Sequence, residues 1–240
     1  MRNWTELQGC FAGRDVLVVG NGPSRMGHDD VIDRALNRRF GVIACNAYWR
    51  DAKRDADVLV CYEAKQSEAA LRGTRGSPIL VPQQGLDPVA TVLTSESEQR
   101  LVEAAPHRGA GRWEDVIDEQ WWPTALALGN LSGLLAYQLA MVGRARAVYL
   151  FGVDCCGLRI AGSDQVLLSA IDERTPGYGP ARVPARAVGR GDRPAPDGWD
   201  QYRSLWRALT RRADAAGIPT YRALDAGALD WLEVKDPCPD

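Results

Sequence analysis

The stretch VLVVGNGPS, residues 16–24, decides how the rest of the chain is read. Four apolar residues stop at two glycines, and a serine follows just before a segment with helical spacing. A short continuous apolar run bounded by glycine fits a strand buried on both faces, and strands of that kind belong to parallel sheets covered by helices. Residues 29–37 predict the covering helix, with Val31, Ala35 and Ile32 facing inward, and the run at 42–45 (VIAC) predicts the next strand. The first unit therefore reads as strand, glycine turn, helix, strand.

The same rhythm continues outward. Apolar runs at 58–62, 79–81 and 147–151 predict further strands. Residues 131–142 predict the strongest helix, with Leu131, Leu134, Leu135, Leu139 and Val142 on one face and Gly143 where a C-terminal stop belongs. Residues 200–216 predict a closing helix carrying Tyr202, Leu205, Trp206 and Leu209 inward, with Gly217 leading into the strand IPTYRAL. Between these helices, residues 155–198 break the pattern: they are rich in Gly, Pro and Arg, and loops of such length are usually lids or binding loops. The expectation is one nucleotide-binding α/β domain over 1–240, a mostly parallel sheet with helices on both faces, and a lid insertion at 155–198.

Composition narrows the function classes. The 240 residues are 45% apolar and 25% charged, which excludes a disordered or fibrous chain. A formal net charge of -2 gives no general pull toward nucleic acid or an anionic membrane. The six cysteines include no pair at the two-residue gap of a zinc or redox motif, so reduced thiols and no metal site are expected, with Cys45 and Cys61 buried as small hydrophobes. No stretch approaches the ~20 apolar residues of a membrane span, and the first residues lack a signal-peptide core. A cytoplasmic protein without membrane contact is expected.

The turn Gly20-Asn21-Gly22-Pro23-Ser24 has the composition of a phosphate or nucleotide cradle: glycine admits close approach, a helix start favours an anion, and Ser24 adds a hydroxyl. It is neither a dinucleotide fingerprint nor a P-loop, because Arg25 stands where a third glycine would begin, Pro23 lacks an N–H, and the Lys-Ser/Thr pair is absent. Ligands of open α/β sheets bind at the carboxyl ends of the strands. Polar residues stand at several such ends: Asn21, Asn46, Glu63 and Asp154. A second polar turn, Gly129-Asn130-Leu131-Ser132-Gly133, opens the long helix; Asn130 or Ser132 either caps it or meets a second anionic group of the same ligand. Asp29, Asp30 and Asp33 complement a helix dipole. The lid arginines 182, 186, 190 and 193 are solvated charge or a closure over phosphates or a DNA backbone, and Trp121-Trp122 is a stacking platform or core.

The order VLVVGNGPS, VIACNAYWRD, GNLSGLLAYQLAMVGRARAVYLFGVD and GIPTY is similar to that of the small bacterial sialyltransferases that need no metal. It equally resembles the 6-hydroxymethylpterin diphosphokinase-like family, above all its members from phages and bacterial surface-polysaccharide clusters. The resemblance covers about two thirds of the chain. It implies a Rossmann-like domain in which Asn21, Ser24, Asn46, Ser132 and Asp154 surround a nucleotide, together with Gly20, Gly22, Pro23, Asn130 and Gly133.

The activity so implied is transfer from a nucleotide sugar to an acceptor such as a modified phage DNA base or a surface glycan. The sialyltransferases carry a histidine base in the lid; here His28 and His107 lie outside it, so the base is sought among carboxylates. Glu63, Asp154 and Asp200 are the candidate catalytic residues, with Asp164, Asp172 and Glu173 as further lid carboxylates. A pterin-like diphosphokinase would instead use ATP with Mg2+, and a non-catalytic nucleotide-binding module is the third alternative. A homo-oligomer is compatible with all three.

Overall fold

The apolar runs pair with one another in the way their composition predicts. The computed structural model describes residues 2–46, 56–61, 70, 79–82, 101–104, 132–155, 158–159, 162–167, 182–184 and 196–239. Its strands are β1 (Arg2–Asn3), β2 (Asp15–Val19), β3 (Gly41–Cys45), β4 (Val58–Val60), β5 (Ile79–Pro82), β6 (Leu101–Ala104), β7 (Ala147–Phe151), β8 (Leu158–Arg159), β9 (Gln165–Leu167), β10 (Arg182–Pro184) and β11 (Thr220–Arg222). The α-helices whose bounds fall within the described residues are α1 (Asp30–Asn37), α2 (Ser132–Val142) and α3 (Pro196–Ala215).

Eight strands form one sheet in the order β1-β6-β5-β4-β3-β2-β7-β11, and every pairing in it is parallel. Alternate residues along each strand serve opposite faces. Val16, Val18, Ile43, Val58, Val60, Val148 and Leu150 pack with the side chains of α2 and α3, while Leu17, Val19, Val42, Ala44, Leu59, Tyr149 and Phe151 pack with those of α1. The fold is thus α/β and Rossmann-like with helices on both faces. Cys45 and Cys61 fall into these opposite layers, where burial pushes the Cys45 thiol well up and that of Cys61 to about 12, keeping both protonated.

The order of the strands locates the site. From β2 the chain runs through α1 to β3 and onward to β6; it then returns to β7 on the other flank of β2 and continues outward to β11. Strand order therefore reverses between β2 and β7, the switch point at which open sheets accept ligands beyond the strands' carboxyl ends.

Several details differ from the sequence-based expectation. Helix α2 is buried over nearly its whole circumference rather than on one stripe, since Ala136, Tyr137, Gln138, Ala140 and Met141 are also buried. Helix α3 begins at Pro196, four residues before position 200, because proline suits the first turn of a helix, where its missing N–H has no partner to lose. Within the segment 155–198 the described strands form a three-stranded sheet of order β10-β9-β8, antiparallel throughout. Strands of two or three residues are too short to leave a period of two in the sequence, and the same holds for β1. No described helix is long and apolar enough to cross a membrane.

The joint between α2 and α3 is aromatic. Trp206, 1% exposed, meets Tyr137 edge-on with centroids 5.2 Å apart. Trp206→Ala is expected to destabilise the fold by about 3–5 kcal/mol, seen as a lower denaturation midpoint with little change in the slope.

Candidate functional site at the switch point

Two glycines bring the ends of β2 and β7 closer than any other residue would allow. A Cβ on Gly20 would stand 2.3 Å from the Gly152 carbonyl oxygen, and one on Gly22 would stand 2.6 Å from an Asp154 carboxylate oxygen. The pairing of the strands continues through them: Gly20 N–H donates to Phe151 O at 2.8 Å and Gly22 N–H to Gly152 O at 2.7 Å. The expectation that these glycines open the backbone to a phosphate is therefore amended. In the structure the space they free is taken by the β7 loop, and Gly22 keeps an extended backbone (φ -66°, ψ 155°).

Pro23 then starts a single 3-10 turn, Pro23–Arg25, which aims Ser24 at the same loop. Ser24 N–H donates to Asp154 Oδ2 at 2.8 Å, and Ser24 Oγ donates to Asp154 Oδ1. Asp154 is only 6% exposed, and its backbone carbonyl accepts from Ala228 N–H at 2.7 Å. One residue thus gathers the loops after β2, β7 and β11, its carboxylate holding the first and its backbone carbonyl the last. Burial pushes its carboxyl upward in pKa, and the two donors from Ser24 oppose that shift.

A second pair forms where β3 ends beside the start of α2. Asn46 leaves the strand with φ 49°, a left-handed conformation that asparagine tolerates better than most residues. Its N–H donates to Val60 O at 2.9 Å, and its Oδ1 accepts from Ser132 Oγ at 2.9 Å. Ser132 therefore spends its hydroxyl proton on Asn46 and not on capping its own helix. Asn21 links the two pairs: its Nδ2 donates to Cys45 O, one residue before Asn46, at 2.9 Å. Gly133 follows in the first turn of α2 with its Cβ position 3.5 Å from the Trp206 ring.

The fold thus gathers Gly20, Asn21, Gly22, Pro23, Ser24, Asn46, Ser132, Gly133 and Asp154 around the carboxyl ends of β2, β3 and β7. Asp200 lies in the first half of α3, Asp164 in the exposed turn before β9, and Arg182 begins β10. Glu63, Asn130, Asp172, Glu173, His107, Trp121, Trp122, Arg186, Arg190 and Arg193 lie outside the described residues. Sequence reasoning missed Arg25, which it treats only as a break in the glycine pattern. Arg25 is 3% exposed and binds Asp29 Oδ1 through Nε at 2.9 Å. Its place within four residues of an aspartate, at the start of a helix, is the only sequence signal for that pairing.

These features define an α/β protein with a polar cluster at the switch point of a parallel sheet. The chain is similar in fold to the sialyltransferase CstII from Campylobacter jejuni in complex with a substrate analogue, cytidine-5'-monophosphate: the TM-score is 0.51 at 15% identity, over 95% of this chain and 86% of that one. A second structure of CstII, in complex with CMP-3FNeuAc, gives 0.50 at 13% identity over 94% and 86%. No family model matches the sequence, and no curated protein does. At this level of identity the likeness is one of fold.

The Ser24–Asp154 pair yields a pH prediction. Because the native carboxyl holds its proton to higher pH than the unfolded chain does, its contribution to stability is greatest in acid. That contribution declines as pH rises from the ordinary carboxyl value through the raised native one. Ser24→Ala removes one opposing donor and is expected to raise the Asp154 pKa further and to cost about 1–3 kcal/mol at neutral pH. Carbon-detected carboxyl titration and denaturation at two pH values read both effects.

Proposed function

We propose that this chain is a glycosyltransferase that uses a nucleotide-activated sugar, with the nucleotide held over the ends of β2, β3 and β7. The observation that carries this reading is the convergence of Asn21, Asn46 and Ser132 at the switch point, each already oriented by a hydrogen bond within the protein. Carboxamides and a hydroxyl so placed suit the uncharged donors and acceptors of a base and ribose as well as a phosphate oxygen. The fold likeness to structures of CstII with cytidine-5'-monophosphate and CMP-3FNeuAc supports a cytidine nucleotide as the first donor to test.

In the proposed reaction an acceptor hydroxyl oxygen forms a bond to the anomeric carbon of the sugar while the bond from that carbon to the phosphate oxygen breaks. The electron pair leaves with the nucleotide, and the hydroxyl proton passes to a carboxylate. Glu63 and Asp200 are the proposed proton acceptors. Asp154 is assigned to frame the nucleotide turn through Ser24, since both of its oxygens already accept from that residue. The backbone N–H groups at the start of α2 would stabilise the departing phosphate. The segment 155–198 is proposed to cover the acceptor, a surface glycan or a modified phage DNA base that carries a hydroxyl.

Thermal shifts with CMP, CDP, UMP, UDP, GDP and AMP test the site. One nucleotide class is expected to raise the melting temperature, and Ser132→Ala is expected to weaken that ligand by about tenfold, the size of one net hydrogen bond, through loss of the hydroxyl and release of Asn46. Asp200→Asn is expected to slow turnover of the matching sugar donor by about 10²-fold while leaving nucleotide affinity in place. Absence of any nucleotide shift would overturn the reading, and AMP release from ATP with strict magnesium dependence would replace it with diphosphoryl transfer.

A further inference from the structure

Arg25 lies beside the glycine turn, at the head of α1, and its side chain is withdrawn from solvent almost completely. A guanidinium can only donate hydrogen bonds, and it is costly to bury unless its donors are met. Nε donates to Asp29 Oδ1 at 2.9 Å, and Nη1 donates to Asn21 Oδ1 at 3.4 Å. Asn21 in turn donates from Nδ2 to the Cys45 carbonyl at 2.9 Å.

These contacts settle an orientation that the carboxamide alone leaves open. With a pure donor at one end and a pure acceptor at the other, only one arrangement of the Asn21 amide is favourable. The rotated amide would set N–H against N–H at Arg25 and oxygen against oxygen at Cys45. Asp29 is the wider-open member, its side chain 63% exposed against 4% for Arg25, so the carboxylate holds the guanidinium from the solvent side and the guanidinium faces the turn. Well-packed apolar residues often serve a fold as well as a buried charge does, so stability alone gives no reason for an arginine here. The charge therefore has its use in what it orients.

We propose that Arg25 is a positioning residue of the nucleotide site, fixing the rotamer and amide sense of Asn21 so that Asn21 meets the ligand already oriented. The inference rests on the proposed nucleotide site for its consequence in binding, but not for the orientation itself. Lysine cannot replace it, because a single ammonium lacks the planar fork that reaches Asp29 and Asn21 together.

The test has two independent readings, made on Arg25→Lys and Arg25→Gln so that one poorly folding variant does not decide it. First, with asparagine side chains labelled in nitrogen-15, exchange of the Asn21 amide protons with water is followed. It is expected to quicken by about tenfold in both variants, the order of losing one hydrogen bond to a charged group. Second, CMP affinity is measured in a double-mutant cycle with Asn21→Ala. Arg25→Lys is expected to weaken CMP by about tenfold in the parent and by less than about twofold once Asn21 is alanine, since coupled residues are non-additive. Unchanged amide exchange, or losses in CMP affinity that simply multiply, would overturn the proposal. If the parent binds no nucleotide, the proposed function fails, while the exchange reading still decides the role of Arg25.

Discussion

The contact on which the site depends is the continuation of the β2–β7 pairing beyond the point where both strands end. Within the sheet the register runs from Asp15 opposite Ala147 to Val19 opposite Phe151. Past it, the Gly20 and Gly22 amides still reach the end of β7 and its loop, at Phe151 and Gly152, and the ladder finishes with Ser24 against Asp154. Two loops that would ordinarily diverge at a switch point are thereby held as one body. Glycine is required at positions 20 and 22 because the neighbouring loop occupies the volume of a side chain. The turn's composition, which in sequence suggests a cradle for phosphate, is in the first place a consequence of this close approach.

Holding the loops together leaves charge in an awkward place. Asp154 and Arg25 are both buried beside the same turn, and each is met by hydrogen bonds from or to groups of the site. Buried charges of this kind are poor sources of stability relative to apolar packing, but they define geometry sharply, because a misaligned partner leaves a charge unmet. Asp154 fixes the backbone and hydroxyl of Ser24, and Arg25 engages the carboxamide of Asn21. The stability of the fold comes from elsewhere, from the valine-rich strands and from helices such as α2 that are buried over nearly their whole circumference. Division of labour between an apolar body and a polar rim is what the parallel sheet makes available, since its strand ends are the only places where polar residues escape both helix layers.

Much of this is legible along the chain. The runs at 16–19, 42–45 and 147–151 become β2, β3 and β7 with boundaries shifted by at most one residue, since a strand buried on both faces must be apolar at every position. Asn21, Asn46 and Asp154 are recognisable as strand-end residues because each directly follows such a run or the turn that closes it. The partners of these residues are not legible. Ser24 and Asp154 stand 130 positions apart, and Ser132 and Asn46 stand 86 apart. Nothing local distinguishes a serine that donates to a carboxylate across the sheet from one that waits for a phosphate. The strands β8 to β10 are likewise invisible, being too short to develop a pattern.

Sequence by itself determined the class of the fold and the end of the sheet at which polar residues collect, because both follow from local apolar periodicity and the punctuation by glycine. Only the tertiary structure decided that the β2 and β7 loops interlock, that Asp154 faces Ser24, and that Arg25 turns inward toward Asn21. Those are long-range matters of which strand lies beside which. Strand order brings residues of distant number within hydrogen-bonding distance, and no property of the individual residues encodes it.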